Sequence, residues 1–271
     1  MGRYQEAVSE FQRAIQIDPY LMPSYNGLVL LYLYQLGEPD SALFWTKKQI
    51  SYNPNDFWAY DHLGWAYLGL DSLRQAEQAF KRALEINPKS TLELYRLAHT
   101  YRLQGRYQEG LQPIQKILEI NPKETWAYYH LGILYQLLGN KKEAHKNFYT
   151  FLKEAEKWVQ QEPTNGENYI ALGLAKARLG EVKQARKIAA KADQMESTSH
   201  FGYAQLLSVL DEKEAALDEL EKQVEQGYRN YIWIKIHPDL QPLYNHPRFK
   251  ALIAHGLKTK IIESQITGKS Q

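Results

Sequence analysis

The sequence predicts an all-α fold of antiparallel helix pairs stacked in tandem, and three observations predict it. Pro19, Pro54, Pro88 and Pro122 follow one another at 35, 34 and 34 residues, and each closes a similar stretch: "RAIQIDP", "RALEINP" and "KILEINP" are near copies. Two segments 68 residues apart, "FWAYDHLGWAYLGL" from Phe57 and "TWAYYHLGILYQLL" from Thr125, nearly repeat, and 68 is twice 34. Within them Tyr60, Leu63, Gly64 and Tyr67 fall at i, i+3, i+4 and i+7, the stripe of one helical face. A fixed period of this length is the mark of a repeat architecture.

Each unit starts with a helix that carries this stripe. It recurs as Leu94, Leu97, Ala98, Tyr101 and as Tyr128, Leu131, Gly132, Tyr135. The small third residue lets a partner helix cross closely, and Gly105 and Gly139 then occupy turns where a left-handed backbone suits glycine. The second helix ends at its proline, which cannot continue it. Twelve residues before each proline stands a small residue (Ala7, Ala42, Ala76, Gly110), and eight before stands Phe11, Phe80 or Ile114, with Thr46 as the exception.

Helix pairs of this length with these small, aromatic and proline positions resemble the tetratricopeptide repeat, over residues 1 to about 225. The resemblance implies a right-handed superhelix, an α-solenoid of about six repeats with a C-terminal cap. Residues 1–20 then form an orphan second helix, either a cap or the trace of a longer chain, and 21–227 the repeat array. Pro163 comes 41 residues after Pro122, so the second helix of the fifth unit is expected to gain seven residues, about two turns. The sixth unit lacks its proline and breaks at "MESTSH"; the seventh is short in its first helix. Residues 228–257, with Pro238, Pro242 and Pro247, are expected to cover the last repeat as a Pro-containing segment and capping helix, followed by a frayed tail over 258–271. Pro238, Leu243, Pro247, Arg248, Phe249 and Leu252 make this segment similar to the one that closes repeat arrays in bacterial multidomain signalling proteins.

Composition narrows the function. A net charge of +2 argues against nucleic acid, no apolar run approaches the roughly 20 residues needed to cross a bilayer, and no signal peptide or myristoylation site is readable at "MGRYQE". The absence of cysteine removes thiolate chemistry, and the eight histidines have no metal-binding spacing. No catalytic motif occurs, so neither an enzyme nor a cofactor or metal site is expected, and a cytoplasmic location fits.

The resemblance implies that first helices line a concave groove. Its groove positions fall on Trp58, Asp61, His62, Trp65, Tyr95, Arg96, His99, Arg102, Trp126, Tyr129, His130 and Arg178, with Leu92, Gln136, Glu167 and Ile170 beside them. Aromatic anchors with Arg and His fit a peptide or partner domain. The clamp for chaperone C-termini is disfavoured, because its Lys and Asn places hold Asp61, Trp65 and Arg96. A regulatory module of a larger signalling chain (kinase, cyclase or winged-helix regulator) and self-association through the N-terminal half repeat are the alternatives. Arg96 and Trp126 are both expected at the surface, outside the packing stripe.

Overall fold

The computed structural model describes residues 2–258, so the expected frayed tail lies outside the described residues apart from Lys258. Among the described residues there is no strand. The helices are α1 (Gly2–Ile17), α2 (Met22–Leu31) running into a π-turn (Tyr32–Leu36), α3 (Pro39–Tyr52), α4 (Phe57–Gly69), α5 (Leu73–Ile86), α6 (Thr91–Leu103), α7 (Tyr107–Ile120), α8 (Thr125–Leu137) and α9 (Lys141–Gln161). They continue with α10 (Gly166–Arg178), α11 (Val182–Asp193), α12 (His200–Val209), α13 (Lys213–Glu225), α14 (Tyr231–Ile236), a 3-10 turn (Pro238–Leu243) and α15 (Pro247–Gly256).

The repeat grammar is obeyed. Helices before Pro19, Pro54, Pro88, Pro122 and Pro163 all stop two residues short of the proline. α9 has 21 residues against 14 in α5 and in α7, a difference of seven. The turn between the helices of a unit needs one left-handed residue: Gly37, Gly105, Gly139 and Gly180 supply it, and Asp71 and Asp211 do so where glycine is missing. The 35-residue spacing of the first two prolines also has a local cause. From Pro19 to Gly37 is 18 residues, while Pro54 to Asp71 and Pro88 to Gly105 are 17. The extra residue therefore lies in the first helix of that unit, and the π-turn absorbs it.

The chain forms two compact units. Among the described residues, unit 1 comprises 2–104, 229–234 and 253–258, and unit 2 comprises 105–228 and 235–252. In unit 1, α1 to α6 pack each on the next. α1 is seated by Val8 and Ile15, both buried, and by Phe11, whose ring lies against Gly27. A Cβ on Gly64 would stand 2.4 Å from the fully buried Phe80 ring, which is why this crossing excludes side chains. In unit 2, Gly132 meets Phe148 in the same way at 2.5 Å. There α8 packs on α9, α10 on α9, α11 and α12, and α12 on α13. A core of Phe148, Phe151, Leu152, Tyr169, Leu174 and Leu206 runs through these helices.

The C-terminal segment is more than a cover for the last repeat. In unit 2 the 3-10 turn packs on α12, and Arg248 reaches Glu214, Asp218 and Glu221 of α13 at 2.7–2.9 Å. Its residues in unit 1 pack elsewhere: Ile232 against Gly69 of α4, Trp233 against Trp65, and Tyr231 against Gly256. Lys258 donates its backbone N–H to the carbonyl of Gly37 at 2.7 Å.

Candidate functional site

The proposed groove residues divide between two constellations, one in each unit. In unit 1, α4 contributes Trp58, Asp61, His62 and Trp65, and α6 contributes Tyr95, Arg96, His99 and Arg102. Asp56 fixes the start of α4 by accepting from the backbone N–H groups of Trp58 and Ala59, which places Trp58 in the first turn, pointing outward and 51% exposed. Leu92, one 34-residue period later in α6, is likewise exposed.

Further along these helices the picture changes. Asp61, His62, Trp65, His99 and Arg102 are buried, and Tyr95 is half-buried. Arg96 forms a close ion pair with Asp61, lies 3.7 Å from Glu93, and stacks its guanidinium 4.7 Å over the Trp65 ring. Trp65 also meets Tyr34, which the π-turn presents, and stacks on Trp233 of α14; the edge of His99 meets the same Trp233 ring at 5.3 Å. The expectation that Arg96 is a free surface group therefore fails: its side chain is 13% exposed and paired.

Burial sets the protonation of this cluster. It pushes His62 down to about 4, against a smaller opposing pull from Asp56, so the ring is neutral at pH 7. It lowers Arg96 to about 10, which leaves the guanidinium charged. It raises Glu93, opposed by a short hydrogen bond from the Ser90 hydroxyl. His62 Nδ1, Trp65 Nε1 and Glu93 Oε1 find no hydrogen-bond partner among the described residues.

In unit 2, α8 contributes Trp126, Tyr129, His130 and Gln136, and α10 contributes Arg178. Trp126 is 38% exposed and packs beside Tyr129, Phe151 and Trp158, while His130 is half-buried next to Tyr129. Tyr129 and Arg178 converge on one buried carboxylate. Tyr129 Oη donates to Asp239 Oδ1 at 2.6 Å, and Arg178 Nη2 donates to the same oxygen at 2.6 Å. Arg178 Nε also reaches Tyr129 Oη at 3.3 Å, and its Nη1 reaches Gln136 Oε1 at 3.4 Å. His237 lies 3.9 Å from the other carboxylate oxygen. Burial by itself would raise Asp239, but Arg178, His237 and the Tyr129 hydroxyl hold it below the usual aspartate range. Tyr129 is pushed well up, by burial first and then by Asp239.

Sequence reasoning found Tyr129, Arg178, Asp61 and Arg96 but missed their partners Glu93, Tyr34, Trp233 and Asp239. Glu93 is not a groove position, and Tyr34 turns inward through the π-turn. Trp233 and Asp239 lie in a segment read as a cap; a Trp and an Asp set among "YIWIKIHPDL" were the only available signal. Among the described residues no group of three His, Asp or Glu could hold a metal ion, and no helix is long and apolar enough to cross a membrane.

Tandem helix pairs with aromatic and charged side chains gathered on their first helices define the class of helical-repeat proteins, which serve in general as protein-interaction scaffolds and are generally not enzymes. Models of the tetratricopeptide repeat match residues 79–112 and 114–146 and again 1–20 and 59–90, so the repeats over these stretches are tetratricopeptide repeats. It is 29% identical to human Superkiller complex protein 3 over 81 residues, 30% of this chain but 5% of that protein. A crystal structure of MamA, 26% identical, aligns at a TM-score of 0.55 over 59% of this chain and 92% of that one. A tetratricopeptide repeat protein from Parabacteroides merdae ATCC 43184 shares the fold at a TM-score of 0.61 and 20% identity, over 90% of this chain and 93% of its own.

Proposed function

We propose that the chain is a protein-interaction scaffold in which each unit offers the outer end of its own first helices to a peptide or a partner domain. Trp58 and Leu92 are the anchors of unit 1, and Trp126 is the anchor of unit 2. The observation that carries this reading is that the same repeat position is apolar and solvent-exposed three times at 34-residue spacing, at 51%, 44% and 38%. Large exposed apolar side chains on a rigid frame are what interfaces use as anchors. The deeper groove positions, from Asp61 to Arg102 and at Tyr129 and Arg178, are engaged by the chain itself and act as the support for these anchors. A partner carried on the same polypeptide, as in a regulatory module, would use the same anchors.

The test is affinity capture from native lysate with the wild-type chain beside Trp58→Ala and Trp126→Ala, read by mass spectrometry, with melting followed by circular dichroism. The expected outcome is a protein retained by wild type and lost from one or both variants, with melting nearly unchanged. Equal retention by all three would sink the reading.

A further inference from the structure

We propose that Tyr129 and Arg178 form a carboxylate receptor in unit 2, that Asp239 of the chain's own 3-10 turn keeps it closed, and that its external ligand is an acidic peptide segment that takes the place of Asp239. The proposal rests on the reading above that the first-helix face of unit 2 engages a partner, and it names the chemistry of that partner.

The receptor is built from two neighbouring first helices, α8 and α10, and both donors aim at one point. The tyrosine hydroxyl and the guanidinium each stand 2.6 Å from the same oxygen of Asp239, which is 1% exposed. Gln136 steadies the far side of Arg178 at 3.4 Å. The occupant arrives from 110 residues away along the chain, on a turn that is a module in itself. Pro238 and Pro242 have no amide to donate, and the amides of Leu240, Tyr244 and His246 bond to carbonyls of His237, Gln241 and Leu243 within the segment. The Tyr244 hydroxyl likewise turns back to the His237 carbonyl at 2.8 Å. Lifting the turn therefore leaves these bonds intact and exposes Leu240 and Leu243, both fully buried at rest, so the resting state is closed.

The chemistry of any replacement follows from what Asp239 would leave behind. Arg178, with a side chain 16% exposed, would lose its counter-charge, and the buried Tyr129 hydroxyl would lose its acceptor. Leaving both donors unmatched is costly, whereas another carboxylate satisfies both at once. A neutral peptide can offer an amide oxygen to these donors but no counter-charge to Arg178, so exchange favours Asp or Glu.

The test uses fluorescein-labelled hexa-aspartate as probe, with hexa-asparagine as control, and reads fluorescence anisotropy on the full chain. Asp239→Asn removes the internal competitor and should bind hexa-aspartate at least tenfold more tightly than wild type. The double variant Asp239→Asn/Arg178→Gln should return to the wild-type level. No gain in a folded Asp239→Asn protein, or a gain that survives Arg178→Gln, overturns the proposal. Should Asp239→Asn fail to fold, hydrogen exchange of the wild-type chain decides. Saturating hexa-aspartate should speed exchange at Asp239–Leu243 and hexa-asparagine should not, while unchanged protection overturns the proposal. Failure here with Trp58 or Trp126 still needed for capture would remove the acidic-ligand claim alone. Success here with indifferent Trp58→Ala and Trp126→Ala variants would instead sink the anchors and keep the receptor.

Discussion

The two units hold buried arginines at corresponding faces and neutralise them by opposite routes. In unit 1 the counter-charge is local to the repeats: Arg96 of α6 meets Asp61 of α4 and Glu93 of its own helix, and the C-terminal segment contributes a tryptophan. In unit 2 the repeats supply a tyrosine and an arginine, and the carboxylate comes from the C-terminal segment as Asp239. A repeat whose charges balance internally needs only apolar cover, while one left with excess positive charge needs an acid from elsewhere. One segment answers each need with a different residue six positions apart, Trp233 and Asp239.

The largest expected effect comes from overloading the balanced side. Arg96→Glu would put a third carboxylate between Asp61 and Glu93 and should cost about 3–5 kcal/mol, the usual range when one partner of a buried pair is removed. Thermal melting by circular dichroism checks it, and Asp61→Asn/Arg96→Gln should melt above the single variant because one carboxylate, Glu93, rather than three is then left without a counter-charge. A single variant as stable as wild type would mean that the unit 1 pair is not a buried pair at all.

A pH titration separates the units next. His62 is depressed from 6.5 to about 4, so its neutral form is favoured by folding. That contribution is complete above about pH 6.5 and is lost as pH falls toward 4, to the extent of roughly 3 kcal/mol at about 1.4 kcal/mol per pH unit. Glu93 works in the opposite sense, because its raised pKa means that acidification relieves a penalty. Asp239 is lowered, so its contribution is present above about pH 4 and disappears only below that. Urea unfolding of wild type and His62→Gln at pH 7, 5.5 and 4.5 should show the variant with the flatter profile. Parallel profiles would remove His62 from the account.

The smallest effect is at the turns. Asp211 in unit 2 holds φ at 62°, in the left-handed region that glycine adopts freely, and its ion pair with Lys213 is exposed. Asp211→Gly should stabilise by about 0.5 kcal/mol, seen as a small rise in melting temperature. A fall would show that the aspartate side chain matters more there than its backbone.

Much of this molecule was readable before any coordinates. The period, the proline stops, the seven added residues of α9 and the seats at Gly64 and Gly132 are all local consequences of residue type and spacing. Of the site, residue spacing picked out Asp61 and Arg96 in unit 1 and Tyr129 and Arg178 in unit 2 as first-helix residues, though as lining for a partner and not as contacts of the chain with itself. The π-turn was half-readable: the 35-residue spacing announced an extra residue, but not that a wider helical turn would absorb it and turn Tyr34 toward Trp65.

What remained hidden were contacts made at long range along the chain. Helical periodicity reports which residues share a face, because neighbours within a helix or a repeat are set by backbone geometry alone. It does not report what covers that face. The sequence by itself determined the repeats, their helix pairs and the small residues at their crossings. Only the tertiary structure decided that Trp233 lies on Trp65 and that Asp239 closes on Tyr129 and Arg178, since those partners are set by burial and charge balance in the packed chain.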